Sequence, residues 1–225
     1  MSSDKKRTRL FRPILLICVF LGIHSLTFGN EENGVYQAAE AGLHPFLNSI
    51  PQGFESSFGF GGREEFSLAS LGSPYQLCTI HPKNLAPEAV AGEGLILPLE
   101  EFRFPIICRG TMRALLTVAR MNGEWRAVEI GAAGLAAELN KLEMNYPASG
   151  KESQRILLRL YQLKIDFAGF RETSQRLEET TFVPLRSARL ALGTAEEMFI
   201  LYSYPETLKR ARDKYAELLA GTIKR

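Results

Sequence analysis

Residues 102–130 read FRFPIICRGTMRALLTVARMNGEWRAVEI, three runs rich in apolar residues that are separated by two short turn signals. The turn signals are Arg109-Gly110 and Asn122-Gly123. Asn-Gly is the stronger of the two, because a type I′ turn requires positive φ at both central residues and Asn and Gly tolerate it well. The segment therefore predicts an antiparallel meander of three strands at the centre of the fold.

Two-residue loops at both turns would fix the register of this meander. One face would then carry two apolar rows, formed by Phe104, Leu115 and Ile130 and by Phe102, Thr117 and Val128. The opposite face would be mixed, with Arg103, Leu116 and Glu129 in one row, Val118 beside Ala127, and Arg120 beside Trp125. We interpret the apolar face as core. The mixed face is either half-solvated and crossed by a helix, or a partly apolar surface that contacts another molecule.

The segments around the meander predict further strands and helices. Residues 75–80 follow a Gly-Ser-Pro turn and have the composition of a strand. Residues 132–144 carry leucines at helical spacing, which predicts an amphipathic helix that packs back on the sheet. Residues 155–170 fit either a helix or a strand, and their alternating apolar pattern favours the strand.

Two amphipathic patterns flank these segments. Residues 35–50 have apolar side chains at near-helical spacing, but Gly42 and Pro45 interrupt the pattern and predict a short or broken helix. Near the other end, Thr194 with Glu197 and Ser203 with Glu206 are capping boxes. They predict a short helix followed by a C-terminal helix, whose apolar stripe packs on its own sheet or docks a partner helix.

The glycine-rich stretch at residues 51–62 contains three phenylalanines. We expect these rings to anchor the stretch in the body of the protein, although they could instead line a mobile binding lip.

These patterns predict an α+β fold, a twisted antiparallel sheet of about four to six strands packed against amphipathic helices. The organisation that follows from them is a signal peptide at 1–29, an N-terminal helix and Gly/Phe-rich segment at 30–63, a sheet domain at 64–193, and C-terminal helices at 194–225.

The first 29 residues have the order of regions found in a secretory signal peptide. Basic residues at positions 5–12 precede an apolar run at 14–23, and small residues follow up to Gly29. This run has ten residues, whereas a membrane-spanning helix needs about 20. We therefore predict cleavage near Gly29 and export to the periplasm or outside the cell, with no integral span in the mature chain. A retained anchor and lipid modification of Cys18 are the alternatives.

The predicted signal changes how the composition is interpreted. It holds five of the 27 basic residues and one of the 25 acidic residues, which leaves 22 basic against 24 acidic residues. The basic balance of the whole chain therefore gives no argument for a nucleic acid or an anionic membrane as a partner.

Two cysteines, Cys78 and Cys108, remain after signal removal. An oxidising compartment makes a disulfide between them the first hypothesis, and two buried free thiols are the alternative. The mature chain has no Asn-x-Ser/Thr glycosylation acceptor, which favours a bacterial cell envelope over a eukaryotic secretory route.

Sequence motifs for catalysis are scarce. The mature chain keeps His44 and His81, and it lacks HExxH, CxxC, the glycine-rich phosphate loops and the GxSxG elbow, so neither a metal nor a cofactor is expected. Cys78 and His81 are the one pair that suggests a catalytic thiol, but residues three apart on a strand point to opposite faces. Asp166 lies in an apolar stretch, where Arg155, Arg159 or Arg171 could neutralise it.

These observations favour an exported, non-enzymatic accessory or interaction domain whose partner is an envelope or secreted protein. Its candidate binding residues are Arg103, Glu129, Trp125, Arg120 and Asp166, and Arg103 and Glu129 could also form a structural pair across the sheet. Two alternatives stay open. One is an exported hydrolase that uses Cys78 or Asp166, and the other is a protease inhibitor or pro-domain-like module that presents residues 54–62 as an extended loop.

Overall fold

The computed structural model describes residues 24–86, 89, 96–146, 153–196 and 198–223. Nine strands in these ranges are β1 (Ser70–Leu71), β2 (Tyr75–Ile80), β3 (Ile96–Cys108), β4 (Thr111–Met121), β5 (Glu124–Gly131), β6 (Ser153–Leu160), β7 (Ile165–Glu172), β8 (Thr181–Pro184) and β9 (Tyr202–Ser203). The helices are α1 (His24–Ser49), α2 (Pro82–Leu85), α3 (Ala133–Asn145), α4 (Arg186–Leu192) and α5 (Tyr204–Ile223), and short 3-10 turns cover Glu55–Phe58, Arg63–Leu68 and Leu177–Glu179. The α+β class is confirmed.

All nine strands belong to one sheet, in the order β5-β4-β3-β2-β6-β7-β8-β9, and β1 pairs with the end of β3. The predicted antiparallel sheet of four to six strands is therefore too small and too simple. β2 and β6 run parallel, because the chain returns to β2 only after the meander and α3. Such a crossover is the connection that a parallel pair requires.

Two hairpins account for much of the sheet. The predicted meander is β3-β4-β5, and positive φ at Arg109, Gly110, Asn122 and Gly123 confirms both two-residue turns. Residues 155–170 are strands, as the alternation predicts, but they form two strands, β6 and β7. Lys164, with φ of 55°, lies at the turn between them.

The meander register differs from the predicted one because each hairpin contains a bulge. Near the turns the predicted pairs are present, including Val118 with Ala127 and Arg120 with Trp125. Beyond Arg113 in β4 and Val128 in β5 the pairing shifts by one residue. The observed rows are Phe104, Leu116 and Ile130 on one face, and Arg103, Thr117 and Glu129 on the other.

We name the faces by the helices that cover them. The α1 face carries the row of Phe104, and there α1 packs on β3, β4 and β5. Gln76 pairs with both Phe102 and Ile156, so the same face continues into β6. In that half, α5 packs on the sheet through Leu208 and Ala211. The opposite, α3 face is covered in part by α3, which buries Ala136, Leu139 and Leu142 against residues of β2, β4 and β6.

The first helix is continuous, contrary to the predicted break. Pro45 lies inside α1, but both Pro45 and Ala41, whose carbonyl loses its hydrogen bond, are exposed to solvent. Water can satisfy that carbonyl, so the helix tolerates the proline there. Gly42 is packed so closely that an added Cβ would lie 2.2 Å from Cβ of Ala127. Gly42 therefore marks the crossing of α1 over β5.

The C-terminal helices differ from the prediction at one end. The short helix α4 comes before Thr194 and ends at Gly193, which has a φ of 72°. No described helix begins at Thr194, and Glu197 lies outside the described residues. α5 begins as the second capping box predicts, since Ser203 Oγ accepts a hydrogen bond from the backbone N–H of Glu206 at 3.4 Å. The first part of its apolar stripe, Leu208, Ala211 and Tyr215, packs on its own sheet, whereas Leu218 is 49% exposed.

The predicted disulfide is wrong: Cys78 and Cys108 are both free and buried. The neighbour of Cys78 on β3 is Pro98, ten positions before Cys108 on the same strand. At about 3.3 Å per residue the two thiols are about 30 Å apart, whereas a disulfide needs Cα atoms closer than about 7 Å. No helix in the described ranges has the length and the apolar character needed to cross a membrane.

Candidate ligand-binding groove

The two bulges divide the predicted mixed face between the two sides of the sheet. Arg120 and Trp125 lie on the α1 face, in the row that precedes the bulges. Arg103 and Glu129 lie on the α3 face, beyond them. The four candidate residues of the meander therefore form two separate clusters.

The cluster on the α3 face is a structural network. Arg103 Nη1 donates to Thr117 Oγ1 at 2.6 Å and to Glu129 Oε2 at 3.1 Å. Its Nη2 forms an ion pair with Glu101 at 2.8 Å. Thr117 is buried, at 2% exposure, so the network fixes Arg103 against three strands. The alternative that Arg103 and Glu129 form a cross-sheet pair is confirmed.

Asp166 is also engaged by its neighbours. Arg159 Nε and Nη2 donate to the two carboxylate oxygens of Asp166 at 2.7 and 3.3 Å. This hydrogen-bonded pairing raises the pKa of Arg159 above its ordinary value. The backbone N–H of Asp166 donates to Ser187 Oγ at 2.9 Å, which ties α4 to β7. Arg159 is one of the three arginines expected as its partner, and the arrangement joins β6 to β7.

Cys78 and His81 do not form a catalytic pair. Burial raises the pKa of the Cys78 thiol to about 12, so the thiol stays protonated at neutral pH. His81 Nδ1 accepts a hydrogen bond from the backbone N–H of Lys83 at 3.3 Å and thereby caps α2. A protonated, buried thiol is an inert one.

Arg120 and Trp125, by contrast, line a cavity of about 310 Å³ on the α1 face. We name it the aromatic groove. It lies between the part of the sheet covered by α1 and the part covered by α5, and its lining comes from α1 and from all five strands of the β5-to-β6 half. The lining residues are Val35, Tyr36, Pro74, Gln76, Pro98, Leu99, Glu100, Phe102, Arg120, Trp125 and Gln154.

One end of the aromatic groove is built by a packed aromatic and charged cluster. The rings of Phe102 and Trp125 meet edge to face, with centroids 5.5 Å apart. The Arg120 guanidinium lies 5.9 Å from the centroid of the Trp125 ring, within the range of a cation–π contact. Arg120 also pairs with Glu100 at 3.1 Å and donates to the Gly123 carbonyl at 3.3 Å. The Asn-Gly turn thus positions the charged end of the groove.

The other end of the groove floor holds two carboxamides. Gln76 is on β2 and Gln154 is on β6, the two strands that run parallel. The Gln154 Oε1 atom accepts a hydrogen bond from Arg171. The NH₂ group of Gln154 does not take part in this hydrogen bond. Within the part of the chain that the structure describes, the Gln76 side chain makes no hydrogen bond.

Helix α1 supplies the wall of the groove through Val35 and Tyr36. Tyr36 packs edge to face on Phe104, with ring centroids 5.3 Å apart, while 37% of Tyr36 remains exposed. One tyrosine therefore anchors α1 to the core and faces solvent at the groove.

Sequence reasoning found the Arg120 and Trp125 end of the groove and missed Tyr36, Gln76 and Gln154. The missing signal was long-range, because the parallel pairing of β2 with β6 brings the two glutamines together. The local sequence does hold one signal. Gln76 and Gln154 are polar residues at strand positions that face the α1 side of the sheet, where the alternating pattern elsewhere has apolar residues such as Ile156.

A second cavity, of about 190 Å³, lies between α3 and α4. Two of its charged residues pair with each other, since Arg189 Nη1 lies 3.0 Å from Glu138 Oε1. Arg189 Nη1 also donates a hydrogen bond to the Pro184 carbonyl at 3.0 Å. The aromatic groove is larger than this cavity, whereas a depression of about 490 Å³ that shares Tyr36 with the groove and is lined also by Glu40 and His44 is larger still. The aromatic groove carries the more varied set of binding groups.

Among the described residues, no group of three or more His, Cys, Asp or Glu side chains could hold a metal ion. Comparison with known proteins found no matching family model, no matching curated protein and no matching solved structure. The function must therefore be argued from the groove itself.

Proposed function

We propose that this protein is an exported, non-enzymatic binding module and that the aromatic groove is its ligand site. The observation that carries the proposal is the convergence in one concave site of exposed apolar surface, two carboxamides and an ion pair. Ligand sites are concave and mostly apolar, with a few placed polar groups, and cavities of about 300 Å³ are at the lower end of their range. The site therefore suits a small or narrow ligand.

The residues considered for catalysis support a non-enzymatic role. Asp166 is neutralised by Arg159, and Ser187 accepts the backbone N–H of Asp166. Cys78 is buried with a raised pKa. These contacts give Asp166, Ser187 and Cys78 structural roles. The hydrolase alternative is therefore left without a named nucleophile.

The inhibitor alternative requires an extended, exposed loop at residues 54–62. In the structure this segment contains the 3-10 turn Glu55–Phe58 and is anchored by Phe60, which is 1% exposed and packs edge to face on Phe66. Phe54 is exposed, at 57%. The compact conformation favours the anchoring role expected for these rings and gives the inhibitor alternative no support.

Export remains part of the proposal, and the packing of α1 is compatible with it. The buried residues of α1 run from Val35 to Leu47, downstream of the predicted cleavage near Gly29. Cleavage there would leave these core contacts in the mature chain. N-terminal sequencing of the exported protein should therefore give a start near Asn30, and a mature protein that retains Met1 would refute cleavage.

The groove can be tested with its own reporter, because Trp125 is the single tryptophan of the chain. A library of neutral, anionic and cationic small molecules is screened for saturable changes in Trp125 emission. We expect responding compounds whose affinity falls at least about tenfold in Tyr36→Ala, since truncating an exposed tyrosine at a binding site commonly has effects of this size.

Tyr161→Ala is the matched control, because Tyr161 is another half-exposed tyrosine, at 50%, that does not line the groove. It should leave the affinities unchanged. Compounds that are insensitive to Tyr36→Ala but lost in Arg103→Gln would place the site on the α3 face and contradict the proposal. Because Tyr36→Ala also loses the ring contact with Phe104, its melting temperature should fall, and the affinities are compared at a temperature at which the variant is still fully folded.

A further inference from the structure

We infer that the ligand of the aromatic groove is a short, uncharged peptide segment, held by its backbone amides. This inference rests on the proposed function of the groove and names the class of its ligand. It follows from the charge of the site, its hydrogen-bonding groups and the strands that form its floor.

The described lining of the groove carries no net charge. Among the described residues that line it, Glu100 and Arg120 are the charged ones, and they pair with each other at 3.1 Å. A phosphate or carboxylate ligand would have to displace Glu100 from Arg120, and a cationic ligand would have to displace Arg120 from Glu100. An uncharged ligand leaves this pair in place.

The two carboxamides match a peptide unit. A glutamine side chain has one carbonyl acceptor and two N–H donors, so it can accept from a backbone N–H and donate to a backbone C=O of the same ligand. Gln76 has both functions available within the described structure, and Gln154 has its NH₂ group, since Arg171 occupies its oxygen. Together they offer more donors than acceptors, which suits a chain that presents carbonyl groups.

Strand addition cannot explain binding at this site. β2 and β3 are interior strands, paired on both sides, so their backbone groups serve the sheet. Pro74 and Pro98 also line the groove, and proline has no backbone N–H to donate. A peptide here must therefore be recognised by side chains across the sheet face.

The aromatic residues favour a peptide over a carbohydrate. A sugar ring would stack on open aromatic faces, but the Trp125 ring is already packed against Phe102 and the Arg120 guanidinium, which leaves Tyr36, at 37% exposure, as the more open ring of the groove. Val35, Tyr36 and the two prolines instead form apolar walls, on which the aliphatic or aromatic side chains of a peptide can pack.

The test uses purified protein and follows Trp125 emission with four probes. The first is a set of N-acetylated, C-amidated tetrapeptides made from Ala, Val, Leu and Gln. The others are the same peptides with one Asp or Lys, the trimer of N-acetylglucosamine, and inorganic phosphate. We expect saturable binding of the capped uncharged peptides, at least about tenfold weaker binding of the charged ones, and no response to the sugar or phosphate at equal concentration.

Gln76→Leu removes the carboxamide and keeps a side chain of similar size. It should raise the Kd for the responding peptides at least about tenfold, and the exposed loop variant Gln52→Leu should not. Equal melting temperatures of the two variants ensure that a change in Kd reports binding.

The outcomes separate the ligand class from the proposed function. A Trp125 response to the sugar, to phosphate or to charged peptides in preference to the uncharged ones overturns the ligand class and leaves a binding groove. Peptide binding that Gln76→Leu does not weaken also overturns the class, because the carboxamide would then not hold the amides. No response to any probe, together with no hit in the small-molecule screen, overturns both the inference and the proposed function.

Discussion

Replacing Gly59 with alanine should lower the free energy of unfolding by about 3 kcal/mol, because two separate costs act at this position. Gly59 has a φ of 83°, a conformation that costs an L-residue about 1–2 kcal/mol. An added Cβ would also lie 2.3 Å from the carbonyl oxygen of Arg113. That atom belongs to the backbone, so the clash can be relieved only by moving a strand, which adds about 1–3 kcal/mol.

Gly53 provides the matched control, since its φ of 89° is nearly the same and an added Cβ there would have no atom within 4 Å. Gly53→Ala should therefore show the conformational cost alone, about 1 kcal/mol. Urea denaturation of both variants gives the two free energies. Equal losses in the two variants would show that Gly59 does not press on β4.

The contact at Gly59 matters because Arg113 is the bulge that sets the register of the meander. The segment that contains Gly59 also contacts this bulge through Glu65. The Oε1 atom of Glu65 lies 3.6 Å from Arg113 Nη2 and 3.5 Å from Arg109 Nη1. Glu65 in turn accepts the backbone N–H of Gly61 at 2.8 Å. A segment about 50 residues before β4 thus contacts the residue at which the facing of the β4 side chains changes.

This origin explains which parts of the meander could be predicted. The two turns depend on four adjacent residues each, and their chemistry is visible locally, so both turns and the pairs beside them were predicted correctly. The bulges have no local sequence sign, and the one at Arg113 contacts a segment far away in the chain. They exchange Leu115 for Leu116 as the residue opposite Phe104, because one inserted residue reverses the facing of every later side chain.

The candidate site shows the same division. The Arg120 and Trp125 pair lies between the Asn-Gly turn and the first bulge, where local reasoning holds. Arg103 and Glu129 were predicted to lie in the same row across the sheet, and they do. The two bulges shift β3 and β5 by the same amount relative to β4, so both residues are now opposite Thr117. The groove floor was not predicted, because Gln76 and Gln154 are joined by a parallel crossover that no local pattern indicates.

Raising the pH from 9 to 12 should lower the free energy of unfolding by about 3 kcal/mol through the ionisation of Cys78 alone. Burial raises the pKa of Cys78 in the folded protein from 9.0 to about 12. The unfolded chain therefore loses this proton first as the pH rises. The stabilising effect is complete below about pH 9 and is lost as the pH approaches 12.

Two buried tyrosines add to this loss at higher pH. Burial raises the pKa of Tyr204 to about 12, and burial together with the nearby carboxylate of Glu143 raises the pKa of Tyr75 well above its ordinary value. Their contributions begin near pH 9 and grow through pH 10, the ordinary pKa at which half of an unfolded tyrosine is ionised. The thiol contribution between pH 9 and 10 is therefore obtained as the difference between the native chain and a variant without Cys78, and it should amount to about 1 kcal/mol.

The variant that tests this assignment is Cys78→Ala, measured by urea denaturation under a reductant at several pH values. It should be less stable than the native chain at pH 8, because a buried side chain is truncated, and between pH 9 and 10 its stability should fall by about 1 kcal/mol less than that of the native chain, because only the tyrosine contributions remain. Cys108→Ala removes the other buried thiol, keeps Cys78, and should retain the decline that Cys78 causes. A Cys78→Ala variant that declines as steeply as the native chain would assign the effect elsewhere. It would also reopen the question of a reactive thiol, since a Cys78 that ionises near its ordinary pKa could act as a nucleophile.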